Sequence, residues 1–155
     1  MSSRNKNSAE MKHPLPLDEQ LCFTLYSASL AMTQLYKPLL DPIGLTYPQY
    51  LVMLILWEKD GLTLKQIGAR LGQKSGALTP VLKRLQEDDL ITREKSKSDE
   101  RALDIHLTAK GHALSEKAAG IGPCVLDASA MAVDDLIHLR ETLARLRGNL
   151  LDAHI

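Results

Sequence analysis

The chain has 155 residues, 45% of them hydrophobic and 25% charged, with 19 basic and 19 acidic side chains and no formal net charge. Such a length and composition suit one globular domain with a sizeable core, and the charge balance counts against a protein that coats nucleic acid nonspecifically. No apolar run suggests a membrane span and the N-terminus lacks the basic-then-apolar order of a secretory signal, so a cytoplasmic location is expected.

Residues 1–16 are polar, rich in Ser, Asn and Lys, and end in His13-Pro14-Leu15-Pro16, which predicts a loose arm. Asp18 is then expected to cap a long helix whose apolar positions Leu21, Leu25, Ala28, Met32, Leu35 and Leu39 follow three-four spacing, until Asp41-Pro42 and Gly44 end it. Cys22 falls in the first turn of that helix, where the partial positive charge of the helix start favours the reactive thiolate. A lone free cysteine is more often simply a small buried hydrophobe. All four tyrosines, Tyr26, Tyr36, Tyr47 and Tyr50, follow Cys22 closely; their hydroxyls suit a thiolate or sulfenate partner, although tyrosines at helical spacing are more often core packing.

Tyr47-Pro48 opens a second helix carried on by Leu51, Leu54, Ile55 and Trp57, and Asp60-Gly61 turns the chain out of it. In Thr63-Leu64-Lys65-Gln66, a Thr followed three residues later by Gln is the pattern in which each side chain satisfies an orphan backbone donor, so a helix starts there. Leu64, Ile67 and Leu71 line one face of it and Gly72 marks its stop. Gln73 and Lys74 bridge to Ser75, a good cap for another helix with Leu78, Leu82 and Leu85 facing inward. Two short helices joined by so tight a turn suggest helix-turn-helix, a pattern that an ordinary helix pair shares.

The outward face of the second of these helices carries Gly76, Thr79, Pro80, Lys83 and Glu87, small near its start and cationic further along. Ser75 and Thr79 are the expected groove contacts, with Lys74, Lys83 and Arg84 as neighbouring DNA-binding residues. Pro80 removes a backbone donor in mid-helix, and nothing in the sequence accounts for it. Ile91–Lys95 and Leu103–Leu107 both alternate, flanking the polar tip Ser96 to Glu100, which predicts a hairpin with one buried face. Such a hairpin is a wing, and Arg93, Lys95, Lys97 and Arg101 lie on or beside its tip, placed to meet phosphates or a minor groove. Acidic neighbours from Glu87 to Glu100 dilute that charge, so charge alone does not point to DNA.

Beyond the wing, Thr108 is expected to cap a helix reaching toward Gly120, and Gly122-Pro123 reads as a break followed directly by Cys124. The final helix carries Leu136, Leu139, Leu143, Leu146 and Leu150, a seam that needs a partner. A two-fold dimer answers that need and sets two recognition helices one DNA turn, about 34 Å, apart. No metal-ligand spacing links the five histidines and two cysteines, and neither a phosphate loop nor a nucleophile elbow is present.

The segment QKSGALTPVLKR from Gln73 to Arg84, followed by DDLITREKSKSDERALDIHLTAKG, resembles the MarR family of winged-helix repressors, with Asp99 and Arg101 in the family's Asp-x-Arg wing pattern. Within it, QLCFTLYSASLAMTQLYKPLLDPIGLTYPQYLVMLILWE from Gln20 is similar to the organic hydroperoxide resistance regulators, the OhrR branch, and the likeness covers nearly everything from Leu17 onward. The resemblance implies a mainly α fold with a β-hairpin wing: one domain over residues 17–155, a winged helix-turn-helix at about 47–107, and dimerisation helices at about 17–40 and 109–152. It implies a homodimeric repressor on a double-stranded DNA operator, without enzymatic activity, cofactor or metal. The same resemblance implies that Cys22 is oxidised by organic hydroperoxides to a sulfenic acid, that Tyr36 and Tyr47 hydrogen-bond that cysteine across the dimer, and that Cys124, in the region matching the resolving cysteine of the two-cysteine branch, closes an intersubunit disulfide. Arg101 is then expected in the minor groove, Asp99 holding it or the wing, and Lys97 and Arg93 on the backbone. Release by a small aromatic ligand and thiol peroxidase activity are the competing readings.

Overall fold

The computed structural model describes residues 13–153, which resolve into two compact units, one running to Leu35 and the other beginning at Tyr36. The expected arm lies mostly outside the described residues; His13 to Pro16 are exposed and carry no regular structure.

In the first unit a 3-10 turn, Leu17–Glu19, precedes helix α1, Leu21–Leu40, most of which belongs to this unit. Asp18 is therefore not the cap of α1. The turn closes on itself when the Gln20 amide donates to the Leu17 carbonyl, and the helix starts only when Gln20's own carbonyl accepts from Thr24 N–H at 3.3 Å. Gln20 also reaches back, its Nε2 donating to the Leu15 carbonyl at 3.0 Å.

The second unit takes over at the end of α1, where a 3-10 turn, Asp41–Ile43, and left-handed Gly44 stop the helix as the sequence predicts. Thr46 then caps α2, Tyr47–Glu58, through a reciprocal exchange: Gln49 N–H donates to Thr46 Oγ1, and Thr46 N–H donates to Gln49 Oε1. The same exchange between Thr63 and Gln66 opens α3, Leu64–Leu71, and Gly72 ends it at φ 65°, a conformation that costs a side chain dearly and glycine little. Two orphan donors are satisfied locally at each start, which is why both helices begin where the sequence says.

Helix α4, Ser75–Glu87, follows after a turn so tight that a Cβ on Gly68 would press on the Gln73 carbonyl at 2.7 Å. Its cap position is held by Lys74, in extended backbone conformation, and Ser75 is its first helical residue. The expected Ser75 cap is not made: the Ala77 amide bonds the Lys74 carbonyl, and the Ser75 carbonyl takes the Thr79 hydroxyl at 3.2 Å. Helix α4 runs unbroken through Pro80, and no contact explains that residue.

A three-stranded antiparallel sheet, ordered β1-β3-β2, combines the wing strands β2, Ile91–Lys95, and β3, Leu103–Leu107, with a two-residue strand β1, Leu62–Thr63. The pairs Ile91–Leu107, Arg93–Ile105 and Leu62–Ile105 set the register. Only the base of the wing has a buried face, through Ile91, Ile105 and Leu107; towards the tip Leu103 is 45% exposed. Asp60 secures that base, its Oδ1 accepting from Leu107 N–H at 2.9 Å.

Thr108 caps α5, Ala109–Ala118, and Trp57 Nε1 donates to the Gly111 carbonyl at 2.9 Å, tying α2 to α5. Leu40, Val52, Met53, Leu56, Ile67, Leu78, Leu82, Leu85, Ile91 and Ile105 form the fully enclosed core of this unit. The expected break at Gly122-Pro123 is absent. Both residues lie in the first turn of α6, Ile121–Ser129, because early helical positions have no intrahelical acceptor for the N–H that proline lacks. Helix α7, Val133–Leu151, carries the leucine seam and buries none of its residues.

Candidate DNA-reading face and redox site

Lys74, Ser75, Thr79, Lys83 and Arg84 are all exposed on or at the start of α4, the second helix of the tight pair. Gly76 has open space where a Cβ would sit, so packing within the chain does not require its small size. A smooth, small-residue helix start is what a close approach to base edges needs. Arg84 is turned toward Asp88, with its Nε 3.5 Å from Oδ2, which draws it along its own helix.

The fold brings Ser75, Arg93, Asp99 and Arg101 to one cleft of about 360 Å³ between the starts of α3 and α4 and the wing. Lys65 joins them, a residue that sequence reasoning passed over because its role depends on the wing folding back beside α3. Arg93 is held by Gln86, whose Oε1 accepts from its Nε at 2.7 Å, also unforeseen. Lys74, Thr79, Lys83, Arg84 and Lys97 lie outside this cleft lining.

At the wing tip Asp99 acts on the backbone. Its Oδ1 accepts from the Arg101 amide at 3.0 Å while its carbonyl accepts from Ala102 N–H at 3.0 Å, so the carboxylate shapes the turn that presents Arg101. Ser96 is buried in this otherwise polar tip, with its Oγ 3.0 Å from Ser98 Oγ and accepting from Ser98 N–H. Arg101 and Lys97 extend from a turn whose shape is fixed by short local bonds.

Cys22 is the second residue of α1, as expected, and it is free and exposed in the single chain. Its thiol donates to Gln20 Oε1 at 3.9 Å. Cys124 is likewise free and exposed, and with the expected break gone it too lies in a first helical turn, in α6.

Tyr36, Tyr47 and Tyr50 form one aromatic group in the second unit, with Tyr36 and Tyr47 centroids 4.8 Å apart. Tyr50 belongs to the core at 5% exposure and Tyr36 and Tyr47 pack half-buried against it, whereas Tyr26 is 64% exposed on α1. Burial pushes the Tyr36 hydroxyl above its ordinary value, and neighbouring Tyr47 and Tyr50 add to the effect; burial also raises Tyr47 and, with Tyr47's help, Tyr50. Their phenols therefore stay protonated near neutral pH and remain hydrogen-bond donors.

Among the described residues no group of His, Cys, Asp and Glu is arranged to hold a metal ion, and no single helix is long and apolar enough to cross a membrane. A recognition helix fed by a tight turn, beside a wing tipped with Arg and Lys, defines a winged-helix DNA-binding regulator. The family model for the SarA/Rot transcriptional regulators matches residues 34–118. The chain belongs to this SarA/Rot and MarR-type family of winged-helix transcriptional regulators.

It is 48% identical over 136 residues to the organic hydroperoxide resistance transcriptional regulator of Bacillus subtilis (strain 168), covering 88% of this chain and 92% of the relative. Among solved structures it is similar to reduced AbfR bound to DNA, at 37% identity and a TM-score of 0.74, over 88% of this chain and 95% of that one. The disulfide-formed state of AbfR matches with a TM-score of 0.62 at 35% identity, over 88% of this chain and 93% of that one. The chain is thus a DNA-binding transcriptional regulator with redox-sensing relatives.

Proposed function

We propose that this chain is a cytoplasmic, peroxide-operated repressor that binds a pseudo-palindromic DNA operator as a reduced homodimer. The observation that carries this reading is Cys22, free and exposed in the first turn of α1, in a chain 48% identical to an organic hydroperoxide resistance regulator. Cys22 attacks an organic hydroperoxide, the O–O bond breaks, and the products are a sulfenic acid and an alcohol. Tyr36 and Tyr47 donate hydrogen bonds to the oxidised sulfur across the dimer, a role that their protonated phenols suit. The thiol of Cys124 of the partner subunit then displaces water from the sulfenic acid, and an intersubunit disulfide forms.

On the output side, Ser75 and Thr79 enter the major groove, Lys74, Lys83, Arg84, Arg93 and Lys97 meet the backbone, and Arg101 enters the minor groove from the turn that Asp99 shapes. The leucine seam of α7 supplies the dimer contact, since Leu139 is 43% and Leu150 62% exposed in the single chain. A disulfide joining two helix starts on different subunits rotates the DNA modules against one another and takes them off the half-site spacing.

Gel-shift assays with and without organic hydroperoxide, on wild type, Cys22→Ser and Cys124→Ser, alongside a non-reducing gel, test this. Peroxide is expected to release wild type reversibly and leave Cys22→Ser bound. Release of Cys22→Ser would sink the redox reading, and a peroxide-dependent dimer band in Cys124→Ser would remove Cys124 as the resolving residue.

The cleft lined by Lys65, Arg93 and Arg101, with Leu64, Leu82 and Leu103 at its apolar side, favours a second reading in which a small aromatic anion displaces DNA. That reading requires induction to survive Cys22→Ser.

A further inference from the structure

The aromatic residues of the second unit form a row. Tyr36, near the end of α1, lies 4.8 Å from Tyr47 at the start of α2 and 5.8 Å from Tyr50, and Tyr50 lies 6.4 Å from Trp57, all measured between ring centroids. This row takes in three of the four tyrosines and the one tryptophan of the whole chain. Packing explains why the rings touch, and the hydrogen bonds proposed above use the hydroxyls of Tyr36 and Tyr47 without requiring those two rings to lie against each other.

Tyr36 and Tyr47 are only partly buried, so a small oxygen radical in solution can reach them. Both pack half-buried against the core. Local bonds hold both segments in place: Leu45 N–H donates to the Leu40 carbonyl at 3.3 Å after α1, and the Thr46–Gln49 exchange pins the start of α2. Two phenol rings are thus kept against each other by backbone that has no need to move.

We propose that Tyr36 and Tyr47 are an oxidative coupling site, where alkoxyl or peroxyl radicals close a carbon–carbon dityrosine bond between α1 and α2. Each phenol gives one hydrogen atom to one oxygen radical, so two tyrosines are oxidised by one electron each and two radicals are reduced to alcohol or hydroperoxide. The two phenoxyl radicals then pair their unpaired electrons in a bond between the ring carbons beside the oxygens. The hydrogens on those carbons shift to the oxygens, and both phenols are restored. Tyr50 and Trp57 enlarge the target, because an electron vacancy formed on either can pass along touching rings to the closest pair.

The bond bridges positions 36 and 47 across the Asp41–Ile43 turn and, unlike a disulfide, is not undone by thiols. It involves the two tyrosines that the thiol reading sets beside the oxidised sulfur, but neither cysteine takes part in the bond. It records one-electron radical exposure, which a two-electron thiol sensor does not report.

The test treats the full-length chain, mixed half unlabelled and half nitrogen-15 labelled, with a peroxyl-radical generator, then looks for dityrosine fluorescence and cross-linked peptides short of two hydrogens. The expected product joins the peptides containing Tyr36 and Tyr47, is wholly light or wholly heavy, survives combined Cys22→Ser and Cys124→Ser substitution, and is lost in Tyr36→Phe and in Tyr47→Phe. Mixed light-heavy peptides, a dominant link elsewhere, or no link in wild type would overturn the proposal. Loss of the link in the double serine variant would also overturn it, whatever the gel-shift assays show about Cys22.

Discussion

Helices α4 and α7 repeat the same leucine spacing and meet opposite fates. Leu78, Leu82 and Leu85 of α4 are each at 1% exposure or less, whereas α7, six residues longer at 19 against 13, buries nothing. Three-four periodicity therefore tells which face of a helix is apolar and leaves open whether the same chain covers it. In α4 the cover is α2, α3 and the wing; in α7 a groove through Leu136, Leu139, Leu143 and Ala144 stays open to solvent.

The sharpest way to break this contrast is to charge the open seam. Leu143→Asp is expected to leave the chain folded but monomeric and to cost about 10²–10⁴-fold in operator affinity, the avidity of a second module. Sedimentation velocity and gel shift read both effects, and a variant that stays dimeric would mean that another surface makes the dimer.

Next in size, Leu85→Ala removes a fully enclosed side chain and is expected to cost about 2–5 kcal/mol in urea unfolding. Leu150→Ala, at a position 62% exposed, should stay within roughly 0.5 kcal/mol for the dissociated chain. Similar costs for the two would erase the distinction between a covered and an uncovered seam.

On the reading face the contrast is between helix and wing. Thr79→Ala is expected to change sequence preference by about 1–3 kcal/mol, while Lys97→Ala weakens all sequences alike and lowers the salt slope by about 1. Binding titrations on operator and random DNA at several salt concentrations separate them, and equal loss on both DNAs for Thr79→Ala would remove it from the groove.

The smallest effect concerns the tyrosines. Burial holds Tyr36, Tyr47 and Tyr50 above 10.0, so unfolded phenols ionise before folded ones. Their contribution to stability is complete below about pH 10 and is lost as pH rises through the raised folded values. Denaturant unfolding across that range should show the decline, and Tyr36→Phe should flatten it; a decline of equal slope in the variant would assign it to other groups.

How far these features could be read beforehand depends on their reach along the chain. The start at Thr63, the stop at Gly72, the wing strands and the cap at Thr108 were legible because each is settled by residues within about one turn of itself. Strand β1 was not, since two residues cannot alternate and its pairing with Ile105 spans the whole module. Gly122-Pro123 was misread because the same dipeptide breaks a helix in its interior and suits it in its first turn.

The amino-acid order thus settled the helix-turn-helix, the wing and Cys22 at a helix start, all through local hydrogen bonds and periodic burial. Only the tertiary structure decided that Lys65 and Arg93 share a cleft with Arg101, that Gln86 holds Arg93, that Cys124 lies inside helix α6, and that Tyr36 meets Tyr47. Those are meetings between elements, and their energy depends on how surfaces pack against one another, which spacing along one chain does not encode.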